Sequence, residues 1–203
     1  MGSTQDRLQS AALRLFAQRG ATQLTISELA DAAGVARGTV YNNVASLGSL
    51  FADVARRLAE EMHARVVASY ADKDDPAVRV ANGIRFFVRR AHEEPHWGRF
   101  INRFAFSDPA LQALWNGPPM EEVMNGAARG RFELRPDQVQ SVIALIAGTV
   151  LAAMFLVLEG HRTWRDAGAD AAELVLRALG LRREEARALS MAELPPLRAV
   201  GAR

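Results

Sequence analysis

The sequence predicts an all-α protein with a small N-terminal helical head and a larger helical body. Apolar residues recur at helical spacing along most of the chain, and glycine or proline punctuates the periodic segments. Strand signals are nearly absent, because β-branched runs are few and no hairpin turn joins two alternating segments. We expect the domains to be residues 1–46 and 47–203.

The first two helices of the head are predicted from their ends. Thr4–Arg19 carries apolar residues at helical spacing, and Gly20 follows it as a C-terminal cap. Thr25 and Glu28 have the spacing of a capping box, in which each side chain bonds the other's backbone N–H. This box predicts a short second helix that ends before a sharp turn at Gly34.

The rest of the chain is predicted as further helices joined by short breaks. Ser46 is a predicted N-cap, Ala71–Asp75 is the best candidate for a linker or bend, and two Asp-Pro pairs predict capped helix starts. The predicted helices are Ala36–Val44, Leu47 to about Tyr70, 76–93, 109–115, Met120–Arg129, 137–160, 168–179 and 182–193.

Two short helices around a glycine turn predict a helix-turn-helix, whose second helix enters the major groove of DNA. Its polar side chains are of the types that read base edges. Arg37 can bond guanine bidentately, Asn42 or Asn43 can pair with adenine, and the Thr39 methyl can contact thymine. Gly38 allows close approach of the backbone.

Phosphate contacts are expected from residues beside this helix, where they fix the register without reading sequence. Tyr41 and the capped helix start at Thr25 are the candidates. The full predicted DNA-binding set is Thr25, Arg37, Gly38, Thr39, Tyr41, Asn42, Asn43 and Ser46.

The stretch over residues 8–58 resembles the TetR family of repressors, whose motif places Ala-Gly-Val, Gly-Thr, Tyr and Ser at fixed spacing. The matching positions here are Ala33–Val35, Gly38, Thr39, Tyr41 and Ser46. The resemblance implies a homodimer paired through its last two long helices. Two heads on a two-fold axis would then read a pseudo-palindromic double-stranded operator, with half-sites roughly 34–36 Å apart.

Four departures from the family motif bear on DNA binding. Ala36 replaces a capping serine, which weakens the start of the recognition helix by about 1 kcal/mol. Asn43 and Val44 replace the usual aromatic or His followed by Phe, and Leu47 with Gly48 replaces Lys-Glu. The fold prediction is unaffected, whereas the operator sequence and the tightness of binding are left open.

Charge and composition set limits on the function. The net charge is +2, and residues 1–60 hold six arginines against five acidic residues, a net of +1. Affinity for DNA therefore has to come from placed groups and dimer geometry. The absence of cysteine excludes disulfides and thiolate zinc sites, and it is compatible with the cytoplasm, where we expect this protein.

Two segments resemble features of other protein classes, a membrane-spanning helix and a zinc-binding motif. Ser141–Leu158 is uncharged over 18 residues, the lower bound for a membrane span, but we interpret it as an interior helix because it lacks aromatic belts. His92 to His96 reads H-E-x-x-H, yet Pro95 breaks the helix that a zinc site requires. We therefore predict no membrane partner, no metal, no cofactor and no enzymatic activity.

Aromatic and methionine side chains between residues 76 and 160 have two interpretations: ordinary core, or an adaptable pocket for a small apolar ligand. Arg99, Asn102 and Arg103 are either polar anchors of that pocket or an exposed helical face. The predicted ligand-binding set is Phe86, Phe87, Trp97, Phe100, Arg103, Phe104, Trp115, Met120, Met124, Met154 and Phe155.

The sequence supports dimerisation independently of the resemblance. Helix 137–160 is apolar on more faces than one core needs, and a second apolar face of the next helix is predicted from Leu174, Val175, Leu176, Ala178 and Leu179. The resemblance, together with the aromatic and methionine side chains between residues 76 and 160, implies a repressor that an apolar ligand releases from DNA. An activator, a ligand-independent regulator and, from a different class, an all-helical carrier or enzyme stay open as alternatives.

Overall fold

The computed structural model describes residues 3–69 and 74–198, which are helical and contain no strand. This confirms the predicted all-α class; most of the predicted linker lies outside the described residues. The helices are α1 Thr4–Arg19, α2 Ile26–Ala33, α3 Arg37–Asn43, α4 Leu47–Ser69, α5 Pro76–Glu93, α6 Pro95–Phe104, α7 Pro109–Asn116, α8 Pro118–Ala128, α9 Val139–Leu158, α10 Trp164–Ala178 and α11 Arg183–Met191, with a 3₁₀ turn at Pro136–Gln138 before α9.

The ends of the first helices follow the predicted local chemistry. Thr25 Oγ1 accepts from the backbone N–H of Glu28 at 3.2 Å, and Glu28 Oε2 accepts from the N–H of Thr25 at 2.8 Å. Gly20 and Gly34 both adopt the left-handed conformation, with φ of 69° and 64°. The predicted capping box and both glycine caps are confirmed, because these interactions are local in sequence.

Several helices start at prolines, and two predicted starts need correction. Helix α5 ends before Pro95, where α6 begins, so the predicted break in the H-E-x-x-H segment is confirmed. Helix α8 begins at Pro118 rather than Met120, since proline suits the first turn of a helix. Helix α10 begins at Trp164 rather than 168, because Thr163 caps it by accepting from Asp166 N–H at 3.2 Å.

Helix α5 lies at the centre of the body. It packs against α6, α8, α9 and α10, and most of its residues are buried. Helix α9, with the turn before it, is long and apolar enough to cross a membrane, but 44% of that segment is buried inside the protein. One side of α9 is buried against α5, α6 and α10, as expected for an interior helix. The other side of α9 is not covered by any of the described helices.

An aromatic cluster joins the head to the body. Phe16 of α1 and Phe51 of α4 lie with their ring centroids 5.1 Å apart. Phe100 and Phe104 of α6 contact Phe51 at 5.3 and 4.9 Å. All four rings are nearly or fully buried, so α6 is packed directly against α1 and the start of α4.

Candidate functional site

Helix α3 presents most of its predicted DNA-contacting residues to solvent. Arg37, Gly38, Tyr41 and Asn42 are exposed, and the Tyr41 residue is 68% exposed. On the opposite side of the helix Val40 is 1% exposed and anchors α3 in the head. A short helix with one buried anchor and a polar outer side has the geometry that a recognition helix needs.

Arginines of α1 hold the turn that aims α3. Arg7 Nη2 donates to the carbonyl oxygens of Ala33 and Gly34, both at 2.8 Å. Arg14 Nη2 donates to the carbonyl of Ala32 at 2.9 Å. These bonds satisfy carbonyls at the C-terminus of α2, where the helix dipole favours cations. Two head arginines are therefore occupied in fixing the helix-turn-helix.

Arg37 differs from them because, among the described residues, it has no hydrogen-bond or ion-pair partner. Its guanidinium is free to bond a base or a phosphate. Asn43 Nδ2 instead donates one of its two hydrogens to the Thr39 carbonyl at 2.8 Å, so the orientation of this amide is set by its own helix. Asn42 is exposed and makes no such bond within the described part of the chain.

The two predicted residues outside α3 cap neighbouring helices. Ser46 Oγ accepts from Gly48 N–H at 3.1 Å at the start of α4. The Thr25 hydroxyl donates to Glu28 Oε2 at 2.8 Å, so its hydrogen is already used within the capping box. Hydrogen bonds from Thr25 and from Arg19 lower the pKa of Glu28 to about 2. The carboxylate at the start of α2 is consequently ionised throughout the physiological range.

A small cavity of about 50 Å³ lies in the body between α4, α5, the α7–α8 junction and α9. Its walls are mostly apolar, with Phe87 and Trp115 contributing rings whose centroids are 5.4 Å apart. Gly83 also lines it, and a methyl group added there would have no atom within 4 Å. The cavity therefore extends to the backbone of α5.

Three polar residues of this cavity were missed by sequence reasoning: His63, Arg79 and Glu122. Arg79 Nη1 donates to Glu122 Oε1 at 2.9 Å, and both side chains are largely buried. Burial lowers the pKa of His63, against the opposing effects of the Leu114 carbonyl and the charge of Glu121. A usable signal was Arg79 itself, which shares one side of α5 with Gly83 and Phe87 at spacings of four residues.

The predicted ligand-binding residues are divided among several places, and only Phe87 and Trp115 line this cavity. Phe100 and Phe104 belong to the junction with the head. The remaining members are either buried in the core, half-buried at its edge, or exposed: Phe86, Trp97 and Met154 are in the core, Met120 is half-buried, and Met124, Arg103 and Phe155 are exposed.

The polar residues proposed as anchors serve other elements. Asn102 Nδ2 donates to the Leu151 carbonyl of α9 at 2.6 Å, and Arg103 Nη1 lies 3.5 Å from the Ala17 carbonyl of α1. Arg99 is exposed. None of the three lines the cavity, because α6 turns this side toward α1 and α9.

An apolar side of α9 and α10 is left uncovered. Leu145, Phe155, Leu156 and Leu174 are between 37% and 59% exposed. Between the large residues of α9 lie the small side chains of Ala144, Gly148 and Ala152. The α10 part is narrower than the sequence suggested, since Val175, Leu176 and Leu179 are buried against the protein's own core and leave Leu174 and Ala178 outside.

Family comparisons decide the class of this architecture. The family model of bacterial regulatory proteins of the tetR family matches residues 8–47. A second model, the C-terminal domain of tetracyclin-repressor-like proteins, matches residues 75–191, more than half of the chain. The chain belongs to the TetR family. It is therefore a DNA-binding transcriptional regulator and not an enzyme.

Curated relatives of this TetR-family regulator agree in class. Two Mycobacterium tuberculosis proteins, each an uncharacterised HTH-type transcriptional regulator, are 31% identical to it over 90 residues. That match spans 44% of this chain and 45% of each relative, so it extends over somewhat less than half of their length.

Solved structures of TetR-family proteins match nearly the whole regulator. RolR in complex with resorcinol is 26% identical, with a TM-score of 0.72 and coverage of 96% of both chains. RolR without ligand is 25% identical, with a TM-score of 0.70 over 95% of this chain and 100% of that one. A putative TetR regulator from Shewanella, 19% identical, shares the fold with a TM-score of 0.74 over 89% of this chain and 100% of that one.

Proposed function

We propose that this regulator is a cytoplasmic repressor whose two copies hold an operator through α3 and release it when a small molecule occupies the body cavity. The observation that carries the DNA-binding half is the outer side of α3, where Arg37, Tyr41 and Asn42 are exposed on a helix held by Arg7. We retain residues 1–46 and 47–203 as the proposed division between reading DNA and regulating it.

A second copy of the chain is the occupant that we propose for the uncovered side of α9 and α10. Exposed Leu145, Phe155 and Leu174 surround the small residues of α9, so two such helices can approach closely and bury apolar surface. Apart from its neighbours in α9, no described atom lies within 4 Å of a methyl group added at Gly148, so the packing described for one protomer gives no reason for a glycine there. A self-complementary patch of this kind supports a two-fold dimer.

Dimer geometry then sets the DNA sequence that can be read. Two α3 helices on a two-fold axis occupy successive major grooves when they lie roughly 34–36 Å apart. The operator is consequently expected to be a pseudo-palindrome. Because the head carries little excess charge, specific binding depends on both heads fitting at once.

The cavity is linked to the head through α6. Phe87 of the cavity wall lies 5.8 Å from Trp97 of α6, measured between ring centroids. On the same helix Phe100 contacts both Phe16 and Phe51. A ligand that displaces Phe87 would therefore favour a different α6 position, and the separation of the two heads would change with it.

A relative gives independent support for a small-molecule occupant. RolR, which resembles this regulator over 96% of both chains, is solved in complex with resorcinol. We accordingly propose that this regulator also takes a small molecule in its helical body. Its own cavity, at about 50 Å³, is smaller than the roughly 300–1,000 Å³ of typical ligand pockets, so its walls must move apart on binding.

The test of DNA binding is a gel shift with DNA from the gene's own upstream region, repeated at two salt concentrations. The wild type should keep a preference for one site as salt rises, whereas non-specific binding falls away. Arg37→Ala should abolish the preference without altering the thermal midpoint. Arg56→Ala is the matched control, because Arg56 is exposed on α4 and paired with Asp53. Equal loss in both variants would contradict the assignment of α3.

A further inference from the structure

Two residues that line the body cavity each carry a buried polar atom with no hydrogen-bond partner in the described part of the chain. They are Trp115 Nε1 and Glu122 Oε2. Trp115 is 5% exposed, so its N–H is almost completely withdrawn from bulk water. Buried donors and acceptors are nearly always paired in folded proteins, and unpaired ones therefore require a specific explanation. The lining therefore includes one residue with an unpaired donor and one with an unpaired acceptor, which are the two groups that a hydroxylated ligand can satisfy.

The ion pair beside them selects for neutral ligands. Arg79 Nη1 bonds Glu122 Oε1, so this pair brings opposite charges into the cavity wall. A cation attracted by Glu122 would be repelled by Arg79. An anion attracted by Arg79 would be repelled by Glu122. The Arg79 bond also fixes the carboxylate, which leaves Glu122 Oε2 as an oriented, charged acceptor. Charge-assisted hydrogen bonds to such an oxygen are stronger than neutral ones.

Size and shape restrict the ligand further. The cavity measures about 50 Å³, whereas an apolar cavity of roughly 150 Å³ holds a benzene molecule in another protein. A single ring therefore fits only after the walls separate, and a larger ligand would require a larger displacement of the walls. Phe87 and Trp115 line this space and their rings pack against each other, so an aromatic ligand would join an existing aromatic contact.

Gly83 borders the same open space on the side of α5. Glycine inside a helix is less favourable than alanine, yet apart from the adjacent residues and the backbone of α5 itself no described atom lies within 4 Å of a methyl group added at Gly83. Gly98 shows the contrast, because a methyl there would come within 2.9 Å of Ala91. Gly98 is explained by packing inside the chain, whereas Gly83 borders the cavity and leaves room for a ligand.

We propose that the cavity binds a small, neutral, hydroxylated aromatic molecule of the phenol type. Its hydroxyl group donates to Glu122 Oε2, a ligand oxygen accepts from Trp115 Nε1, and the ring packs between the apolar walls. This assignment rests on the proposed function for its regulatory meaning, but the binding chemistry can be measured without DNA.

Matched probes test the donor requirement on the full-length protein by calorimetry. Phenol and toluene have nearly the same shape, and anisole keeps the oxygen but lacks the O–H donor. Phenol should bind at least tenfold more tightly than either of the others, because only phenol satisfies Glu122 Oε2. Equal affinity for phenol and toluene, or no binding of phenol, would overturn the proposal.

Variants locate the site. Glu122→Gln should weaken phenol binding at least tenfold and leave toluene unchanged, whereas Glu121→Gln, an exposed neighbour, should change neither. Trp115→Phe gives a second test that leaves the Arg79 ion pair intact, and it should weaken phenol severalfold. Gly83→Leu should abolish binding of both probes while the protein keeps its thermal midpoint. Phenol binding that survives Gly83→Leu would refute the location.

DNA release separates this inference from the proposed function. If phenol binds through Glu122 and the operator complex survives saturation, the binding site stands and ligand-induced release fails. If another compound releases DNA equally from the wild type and from Gly83→Leu, regulation stands and this cavity is not its site.

Discussion

A serine at position 36 would supply the N-cap that α3 lacks. This change should raise both the thermal stability of the head and its affinity for DNA. Ala36 occupies the N-cap position with φ −70° and ψ 149°, and it makes no side-chain cap bond. Ser3 and Thr25 cap α1 and α2 from similar backbone conformations, each accepting from the third helical N–H at 3.2 Å. Ala36→Ser therefore places a hydroxyl where this chain already uses one twice.

The structure sets the size of the gain. The Thr39 N–H already donates to the Ala36 carbonyl at 2.9 Å, so the new hydroxyl adds less than it would at an unbonded donor. We expect a gain of about 0.5–1 kcal/mol, the lower part of the range for N-caps. For a chain of this length that corresponds to a rise of roughly 1–4 °C in thermal midpoint.

The assay is a pair of measurements on the same preparations. Thermal unfolding followed by circular dichroism reports the stability gain, and fluorescence anisotropy with a labelled operator reports affinity, which should rise up to about fivefold per head. Ala21→Ser is the control, since Ala21 is exposed in the turn after Gly20 and caps no helix. A midpoint for Ala36→Ser that equals those of the control and the wild type would refute the reasoning.

Three further perturbations test other parts of the account. Gly148→Leu should leave the helical content intact but shift sedimentation toward monomer, because the added side chain enters the proposed α9 interface; an unchanged dimer would place that interface elsewhere. Phe51→Ala should lower the free energy of unfolding by about 3–5 kcal/mol in urea titrations, because a buried ring in contact with three others is removed; a change below about 1 kcal/mol would mean that the junction is loosely packed. Glu28 has a folded pKa of about 2 against an ordinary value of 4.5, so its stabilising effect is present above pH 4.5 and is lost as the pH falls toward 2. Wild type should therefore lose more stability than Glu28→Gln between pH 6 and pH 3, and parallel losses would show that the capping box contributes nothing through ionisation.

Local chemistry explains why much of the fold could be predicted from sequence. Gly20, the Thr25 box and the Asp75-Pro76 start act through hydrogen bonds within a few residues, so their signals are complete in a short stretch of sequence. The start of α10 was placed too late because Thr163 was not recognised as its cap.

Apart from the side of α5 that carries Arg79, Gly83 and Phe87, the cavity could not be predicted, because its other members come together only in the folded body. Phe100 and Phe104 have the same composition signal as Phe87, yet they pack against Phe16 and Phe51 from distant parts of the chain. His63, Arg79 and Glu122 come from different helices, so no spacing relates them. The predicted ligand-binding set consequently shares only Phe87 and Trp115 with the cavity lining.

The same limit applies to the proposed dimer surface. The sequence shows that α10 is apolar on two sides, but it does not show which side faces α5. In the structure Val175 and Leu176 are taken up by the core, and Leu174 is left at the surface. Apolar periodicity therefore predicted the existence of the surface better than its extent.

The most direct test of the central claim is a hydroxyl-radical footprint on the upstream DNA fragment that the protein binds most tightly. Two copies reading through α3 predict two protected half-sites related by a dyad, with centres roughly 10–10.5 base pairs or a multiple apart. Arg37→Ala should erase both half-sites together. A single asymmetric protected stretch, or a dyad footprint that persists in Arg37→Ala, would contradict the account.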